Sequence, residues 1–126
     1  MSVFAIRHGE TEWSLTGQHT GTTDIPLADN GRRLAERMRP VLATIRLALI
    51  LCSPMQRARE TCELVGFGDK AVIDADLAEW NYGEYEGLTP KQIRGVAPGY
   101  GQEKLKPCEP TDQAQESDRW GSLKAG

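Results

Sequence analysis

The stretch that most constrains this chain is a short apolar run that ends in polar chemistry near its start. Val3 to Ile6 are four apolar residues, two of them β-branched, which predicts a buried β-strand. Arg7, His8 and Gly9 follow where that strand should end. Ligands bind at the carboxyl ends of strands in an open α/β sheet. A cation beside an imidazole at that edge therefore predicts an anion site with a nucleophile or base.

Two further apolar segments predict the other strands of a sheet. Residues 47–52 are a continuous apolar run, which is typical of a strand buried on both faces, and Val72 and Ile73 form a weaker segment. Helical patterns separate the three segments. The order strand, helix, strand, helix, strand predicts right-handed crossovers and a three-layer α/β/α fold with a mostly parallel sheet.

Polar caps and proline mark the expected helix boundaries. The first helix is predicted to begin near Asp29 or Asn30 and to kink or break at Pro40. The second is predicted to begin at Ser53, with Pro54 at its first position. Their predicted inner faces are apolar stripes at helical spacing: Leu34, Met38, Leu42 and Ile45, then Met55, Ala58, Cys62 and Val65.

The remainder of the chain divides near residue 99. Residues 79–87 are acidic, aromatic and glycine-punctuated, which indicates an ordered loop over a site, and Pro90 begins a short helix. Residues 100–126 are rich in Gln, Glu, Lys, Pro and Asp and show no apolar periodicity. We therefore expect a partial domain over residues 1–99 and a disordered tail over residues 100–126.

Composition excludes several classes of protein. The 126 residues carry a net charge of −3, which gives no global reason to expect nucleic acid or an anionic membrane as partner. No apolar run approaches about 18 residues, and no signal peptide is visible. The three cysteines lack metal-type spacing and suit reduced thiols. We expect a cytoplasmic chain without a bound metal, and its oligomeric state stays open.

The residues alone indicate a phosphate-ester site. Arg57 lies in the first turn of the second predicted helix, so it converges with Arg7 if the first two strands are neighbours. Neighbouring cations lower the pKa of His8, and the neutral imidazole is the form that attacks. Glu79 precedes the aromatic loop and can deliver a proton to a departing oxygen.

Other charged residues have plainer interpretations. Spacing alone does not choose between Glu79 and the carboxylates of Glu10 and Glu12 for local electrostatics at the site. Glu84 and Glu86 are predicted to be solvated loop charges. Arg59 is predicted to be an exposed helix charge.

Four motifs resemble the histidine phosphatase superfamily, the group that contains the cofactor-dependent phosphoglycerate mutases. In chain order they are Arg7-His8-Gly9-Glu10-Thr11, Thr20-Gly21 with Asp24-Ile25-Pro26-Leu27, Ser53-Pro54-Met55-Gln56-Arg57-Ala58-Arg59-Glu60-Thr61, and Leu77-Ala78-Glu79 with Tyr82-Gly83 and Glu86-Gly87. The resemblance covers residues 3 to about 98.

The resemblance implies a phosphomonoester phosphatase that works through a phosphohistidine. It makes His8 the nucleophile and Glu79 the proton donor, and it requires no metal or organic cofactor. Ser14 stands where many members carry an Asn, which a hydroxyl can replace. The partner is a small phosphorylated metabolite. The implied phosphate- and substrate-binding residues are Arg7, Arg57, Ser14, Thr20 and Gly21.

The histidine count departs from the family pattern. The family has a second histidine, in an H-G pair after a later strand, that contacts the phosphoryl group. This chain has two histidines, and the one besides His8 is His19, which lacks that context. His19 is predicted to be a solvated loop or substrate-rim residue. A frame shift or equivalent truncation past codon 99 would account for the missing motif.

Three functional interpretations stay open: a phosphatase, a phosphate-ester binder without turnover, and a non-functional truncated product. Weak or no activity is expected, because losing one preorganised contact to developing charge costs about 10²–10³ in rate. Within the family, short linkers between the motifs favour a phosphatase over phosphoglycerate mutase-type transfer. The substrate's identity is not predicted.

Overall fold

The computed structural model describes residues 1–99, which form an α/β unit on a small parallel sheet. In chain order the elements are α1 (Glu12–Thr16), α2 (Asp29–Leu42), β1 (Leu51–Cys52), α3 (Gln56–Leu64), β2 (Val72–Ile73) and α4 (Pro90–Val96), with single 3₁₀ turns at Ala75–Leu77 and Gly83–Tyr85. The predicted α/β class with a parallel sheet is therefore confirmed. The tail predicted over residues 100–126 lies outside the described residues, and the division at residue 99 stays a prediction.

The sheet is smaller than the apolar segments suggest. β1 and β2 pair in parallel, with Leu51 opposite Val72 and Cys52 opposite Ile73. Helix α3 connects them, so the predicted strand–helix–strand order is confirmed here. The second strand was predicted over residues 47–52 with both faces buried, but only its last two residues form a strand and Leu51 is 44% exposed.

The prediction of a buried first strand at residues 3–6 is wrong. The segment has no regular secondary structure, and its apolar side chains are exposed, Val3 by 85% and Phe4 by 56%. A strand needs a neighbour to take its backbone hydrogen bonds, and within residues 1–99 only β1 and β2 form a ladder. Apolar sequence favours burial, but it does not supply the pairing partner.

Helix α2 begins where the sequence indicates and passes through the predicted break. Its first residue is Asp29, and the N-cap is Ala28, not Asp29 or Asn30. Pro40 lies inside the helix, which continues to Leu42, so the predicted alternative of a break is wrong, whereas the alternative of a kink stays a prediction. The hydrogen bond that proline removes falls in the last turn, where the cost of losing one bond is smallest.

The buried face of α2 is rotated from the predicted stripe. Ala35 and Leu42 are buried and pack with Val65, which follows α3, to form the apolar core. Leu34 and Met38, predicted on the inner face, are 46% and 41% exposed. The small side chain of Ala35 brings α2 close to α3.

Helix α3 begins later than predicted and is capped from a distance. Its N-cap residue is Met55, and Ser53 only accepts a hydrogen bond from Met55 N at 3.3 Å. Asp24 Oδ1 accepts from Gln56 N at 2.7 Å, so a loop far along the chain satisfies the helix N-terminus. The helix buries Arg57 and Thr61.

Helix α4 matches its predicted start. Thr89 is the N-cap, and its hydroxyl accepts from Gln92 N in a capping box. Pro90 occupies the first helical position, and Ile93 is completely buried. No helix within residues 1–99 has the length and apolar character needed to cross a bilayer.

The start of α2 presses against the segment that carries His8. Ala28 N donates to Glu10 O at 2.8 Å. A Cβ on Gly31 would lie under 3.0 Å from Glu10 backbone atoms, so only glycine fits without a shift. The same holds for Gly9, where a Cβ would meet Gly31 O at 2.9 Å. Two glycines thus let two backbones touch beside the candidate site.

Gly31→Ala should lower the free energy of unfolding. Alanine improves helix propensity by about 1 kcal/mol, but a clash with backbone costs about 1–3 kcal/mol, and backbone cannot rotate away. The matched control is Gly95→Ala in α4, where no described atom lies within 4 Å of the new Cβ, so it should stabilise. Urea denaturation of both variants measures the difference. Equal stabilisation of both would show that the packing at Gly31 is looser than described.

Candidate active site

One cleft brings together most of the predicted site residues. It has a volume of about 500 Å³, and its lining includes Arg7, His8, Ser14, Thr20 and Glu79. These residues come from the segment before α1, from α1 itself, from the loop after it and from the loop after Ala75–Leu77. The predicted convergence is therefore present for these five residues, although no strand at residues 3–6 delivers Arg7 and His8.

His8 is held by its own backbone and by α3. Its Nδ1 lies 2.7 Å from Gly9 O, and because a carbonyl only accepts, Nδ1 carries the proton. In the neutral ring, Nε2 then holds the lone pair. Gly9 N donates to Thr61 Oγ1 at 3.0 Å, which fixes the segment to the buried face of α3. The geometry defines one tautomer, and that tautomer leaves Nε2 as the nucleophilic atom.

The surroundings of His8 favour its neutral form. Burial lowers the pKa of His8, and the positive charges of Arg57 and Arg7 lower it further. The hydrogen bond to Gly9 and the negative charge of Glu79 act in the opposite direction and are outweighed. His8 is therefore an uncharged base or nucleophile at neutral pH.

The two predicted anion-binding arginines occupy different positions. Arg7 is exposed in the cleft and makes no hydrogen bond or ion pair with another described residue. Arg57 is only 3% exposed and does not line the cleft. Its guanidinium donates to Gly21 O at 2.9 Å and to Thr23 O at 3.1 Å. Arg7 is thus positioned to meet a ligand, whereas Arg57 holds a loop and acts on His8 through its charge.

Ser14, Thr20 and Gly21 differ in whether their polar atoms are available to bind a ligand. Ser14 Oγ accepts from Thr11 N and donates to Thr11 O, both at 2.8 Å, so its proton is engaged in the cap of α1. Thr20 Oγ1 lies 3.4 Å from Gln18 O, a weak contact that a ligand can replace. Gly21 is buried beside the cleft, with its carbonyl oxygen on Arg57.

Glu79 is an exposed carboxylate at the cleft. Its Oε1 accepts from Trp80 N at 3.1 Å, which limits its rotation. Its charge raises the pKa of His8 slightly, so the two groups act on each other across the cleft. The position suits a proton donor to a group that leaves from phosphorus bound near His8.

The rest of the cleft lining consists of Gly17, Gln18, His19 and Tyr82. Gln18 Nε2 donates to Gly87 O at 2.6 Å, and the backbone of His19 exchanges two hydrogen bonds with residues 87 and 88 at 2.9 Å. The His19 and Tyr82 rings lie 5.1 Å apart at 34°. His19 belongs to the cleft lining, which agrees with its interpretation as a substrate-rim residue.

Glu86 was predicted to be a solvated loop charge, but its carboxylate is hydrogen-bonded to the loop of residues 22 and 23. Its Oε1 accepts from Thr22 N at 2.6 Å, and its Oε2 accepts from the backbone N of Thr23 at 3.0 Å and from the Thr23 hydroxyl. Tyr82 N adds a longer contact. The only sequence signal is the Glu86-Gly87 motif, which does not name its partners. Arg59, by contrast, is exposed as predicted.

The described cysteines take no part in this chemistry. Cys52 and Cys62 are free thiols. Burial raises the pKa of Cys52, and burial together with Cys52 raises the pKa of Cys62 to about 11. Both therefore stay protonated at neutral pH and are poor nucleophiles. Cys108 lies outside the described residues.

The Glu86→Gln substitution should lower the free energy of unfolding at neutral pH. This difference from the unmodified protein should disappear in acid. Hydrogen bonds from Thr23, Thr22 and Tyr82 lower the pKa of Glu86 from 4.5 to about 2. A carboxyl with a depressed pKa stabilises the fold above its unfolded value, and that contribution fades as pH falls from about 4.5 toward 2. Thermal midpoints of both proteins from pH 7 to pH 2 test this. A constant gap over that range would contradict it.

Comparison with known proteins identifies the fold's relatives. The family model of the histidine phosphatase superfamily (branch 1) matches residues 3–119. An acid phosphatase of Mycobacterium tuberculosis is 44% identical over 97 residues, 75% of this chain and 47% of that protein. A sedoheptulose 1,7-bisphosphatase of Saccharomyces cerevisiae is 38% identical over 117 residues, 81% of this chain and 43% of that protein.

Solved structures agree with the sequence relatives. A mycobacterial glucosyl-3-phosphoglycerate phosphatase in complex with VO3 superposes with a TM-score of 0.68 at 33% identity, over 74% of this chain and 47% of that one. The chain spans about half the length of the curated relatives it matches. The resemblance inferred from the four motifs is confirmed: this chain belongs to the histidine phosphatase superfamily, branch 1.

Proposed function

We propose that the cleft binds a phosphomonoester and that His8 accepts its phosphoryl group. The observation that carries this proposal is the state of the His8 ring. Its Nδ1 proton is held by Gly9 O, and its lowered pKa keeps the ring neutral. Nε2 then offers a lone pair in a cleft that is also lined by the guanidinium of Arg7 and the carboxyl group of Glu79. Those groups are what phosphoryl transfer to nitrogen requires.

The proposed reaction has two steps. In the first, the Nε2 lone pair of His8 forms a bond to phosphorus while the bond from phosphorus to the ester oxygen breaks. Glu79, in its acid form, gives a proton to that oxygen. In the second, a water oxygen attacks phosphorus, the N–P bond breaks, and the water proton returns to Glu79. The products are an alcohol and inorganic phosphate, and the enzyme is restored.

The cationic groups have separate parts in this proposal. Arg7 contacts the phosphoryl oxygens directly, because it is exposed in the cleft. Arg57 supports the reaction from beneath, through its charge and through the loop that it holds. Thr20 and Gly21 shape the adjacent wall. Ser14 contributes to binding only if its hydroxyl leaves Thr11 O.

The relatives support the substrate class. Two of the proteins compared above, the sedoheptulose 1,7-bisphosphatase and the glucosyl-3-phosphoglycerate phosphatase, are named for small phosphorylated substrates, and the second was solved with VO3. We propose a small phosphorylated metabolite as substrate, in a cytoplasmic setting, with weak turnover. We expect weak turnover because, among the described residues, Arg7 is the one guanidinium that lines the cleft to stabilise charge on the phosphoryl oxygens. A phosphate-ester binder without turnover is the alternative.

His8→Ala should abolish whatever aryl phosphate hydrolysis the full chain shows. Phosphoryl transfer to His8 requires its Nε2, and alanine leaves no atom that can form the N–P bond. Release of the aryl alcohol measures turnover, and mass spectrometry of acid-labile phosphate on the quenched protein measures the intermediate. Hydrolysis that survives in His8→Ala would overturn the nucleophile assignment. Fast turnover dependent on His8 would overturn the expectation of weak activity.

Arg7→Ala should weaken phosphate binding, whereas Arg59→Ala should not. Both arginines are exposed, but only Arg7 lines the cleft, so Arg59 is a matched control for lost charge. Stabilisation of the protein by inorganic phosphate in thermal melts reports the affinity.

Phosphate stabilisation without turnover would favour the alternative of a phosphate-ester binding protein. Return of the phosphoryl group to an added phosphoglycerate would favour mutase-type transfer. Equal losses in both variants would place the anion elsewhere.

A further inference from the structure

A single peptide bond lies between two opposite charges beside the cleft. The carbonyl oxygen of Gly21 accepts from Arg57 at 2.9 Å, and the N–H of Thr22, in the same peptide unit, donates to Glu86 at 2.6 Å. In a trans peptide the C=O and N–H point in opposite directions. The guanidinium and the carboxylate therefore hold the two ends of one peptide dipole.

Thr23 also contacts both side chains, through two different peptide units. Thr23 O accepts from Arg57 at 3.1 Å, and Thr23 N donates to Glu86 at 3.0 Å. Residues 21–23 are thus fixed on one side by a buried cation and on the other by a carboxylate. Gly21 fits this gap because a Cβ there would lie under 3.0 Å from Glu86 and from Trp80 O.

The clamped loop is joined to the lining of the cleft at two points. Thr20, which lines the cleft, immediately precedes Gly21, and Tyr82, another lining residue, donates its N–H to Glu86. Arg57 acts on His8 electrostatically, as do Arg7 and Glu79. A change at Glu86 can therefore reach His8 through the loop and Arg57, although Glu86 does not itself line the cleft.

We infer that Glu86 is a positioning residue, which holds residues 21–23 so that Arg57 stays close to His8 and the cleft keeps its shape for an anion. Its carboxylate is needed in the ionised form, because every group facing it is a donor. Its lowered pKa, about 2, agrees with this. The effect on anion affinity rests on the proposed function, whereas the effect on His8 does not.

Glu86→Gln tests this inference most directly. The Gln side chain keeps one acceptor oxygen, but its NH₂ group would face the N–H and hydroxyl of Thr23, which are also donors. The loop should loosen, Arg57 should become more solvated, and the pKa of His8 should rise toward its ordinary value. Proton NMR titration follows His8 easily, because the chain has two histidines and His19→Asn assigns the signals.

Matched variants separate positioning from stability. Glu84→Gln removes a charge from the same loop and makes no contact with residues 21–23 in the structure, so the His8 pKa should not move. Thr23→Val removes only the hydroxyl that donates to Glu86, and it should shift the pKa less but in the same direction. Glu86→Asp should restore part of the effect, since it keeps the charge with a shorter reach.

The expected result is a raised His8 pKa and several-fold weaker binding of inorganic phosphate in folded Glu86→Gln, with Glu84→Gln unchanged. If Glu86→Gln does not fold, Thr23→Val and Glu86→Asp give the same readouts. Unchanged His8 pKa in the folded variants, even with lower melting temperatures, would overturn the inference. A shifted pKa in a protein that binds no phosphate would uphold the positioning of His8 and overturn the proposed function.

Discussion

The burial of the Arg57 guanidinium is the constraint on which the site depends. A charge that is 97% removed from solvent is costly unless its donors are satisfied, and here backbone carbonyls of residues 21 and 23 accept them. On the other side of the loop, the Glu86 carboxylate accepts from the N–H groups of residues 22 and 23. The loop is therefore hydrogen-bonded both to the helix that carries Arg57 and to the carboxylate.

A second carboxylate, on Glu60 in the middle of α3, also holds the backbone of a neighbouring segment. Glu60 accepts from Leu27 N at 2.8 Å and pairs with Arg32 of α2 at 3.0 Å. Together with the cap of Asp24 on Gln56, this binds the whole segment between the first loop and α2 to one face of α3. Helix α3 is thus the frame of the site, and residues on its first two turns, at positions 56, 57, 60 and 61, hold the surrounding segments.

The sequence predicted those structural features that depend on residues close together in the chain. The start of α4 at Pro90 and the start of α2 at Asp29 depend on neighbouring residues, and both starts were predicted. The residue that caps α3 lies 32 positions away and the partners of Glu86 at residues 22 and 23 lie 63 or 64 away, so no local pattern reports them. The grouping of Arg7, His8 and Glu79 was predicted from motif chemistry, whereas the burial of Arg57 required the folded loop.

Under the proposed function, the cleft is better prepared to bind a phosphoryl group than to turn it over. The proposed nucleophile, His8, has its Nδ1 proton on Gly9 O, and burial lowers the pKa of its ring before any ligand arrives. Stabilising the charge that develops on three phosphoryl oxygens is harder. Among the described residues the cleft offers one exposed guanidinium, Arg7, because Arg57 serves the loop and the Ser14 proton serves Thr11. The proposed cleft is therefore better equipped to bind the phosphoryl group than to stabilise a charged transition state. We expect phosphate binding to be more robust than turnover.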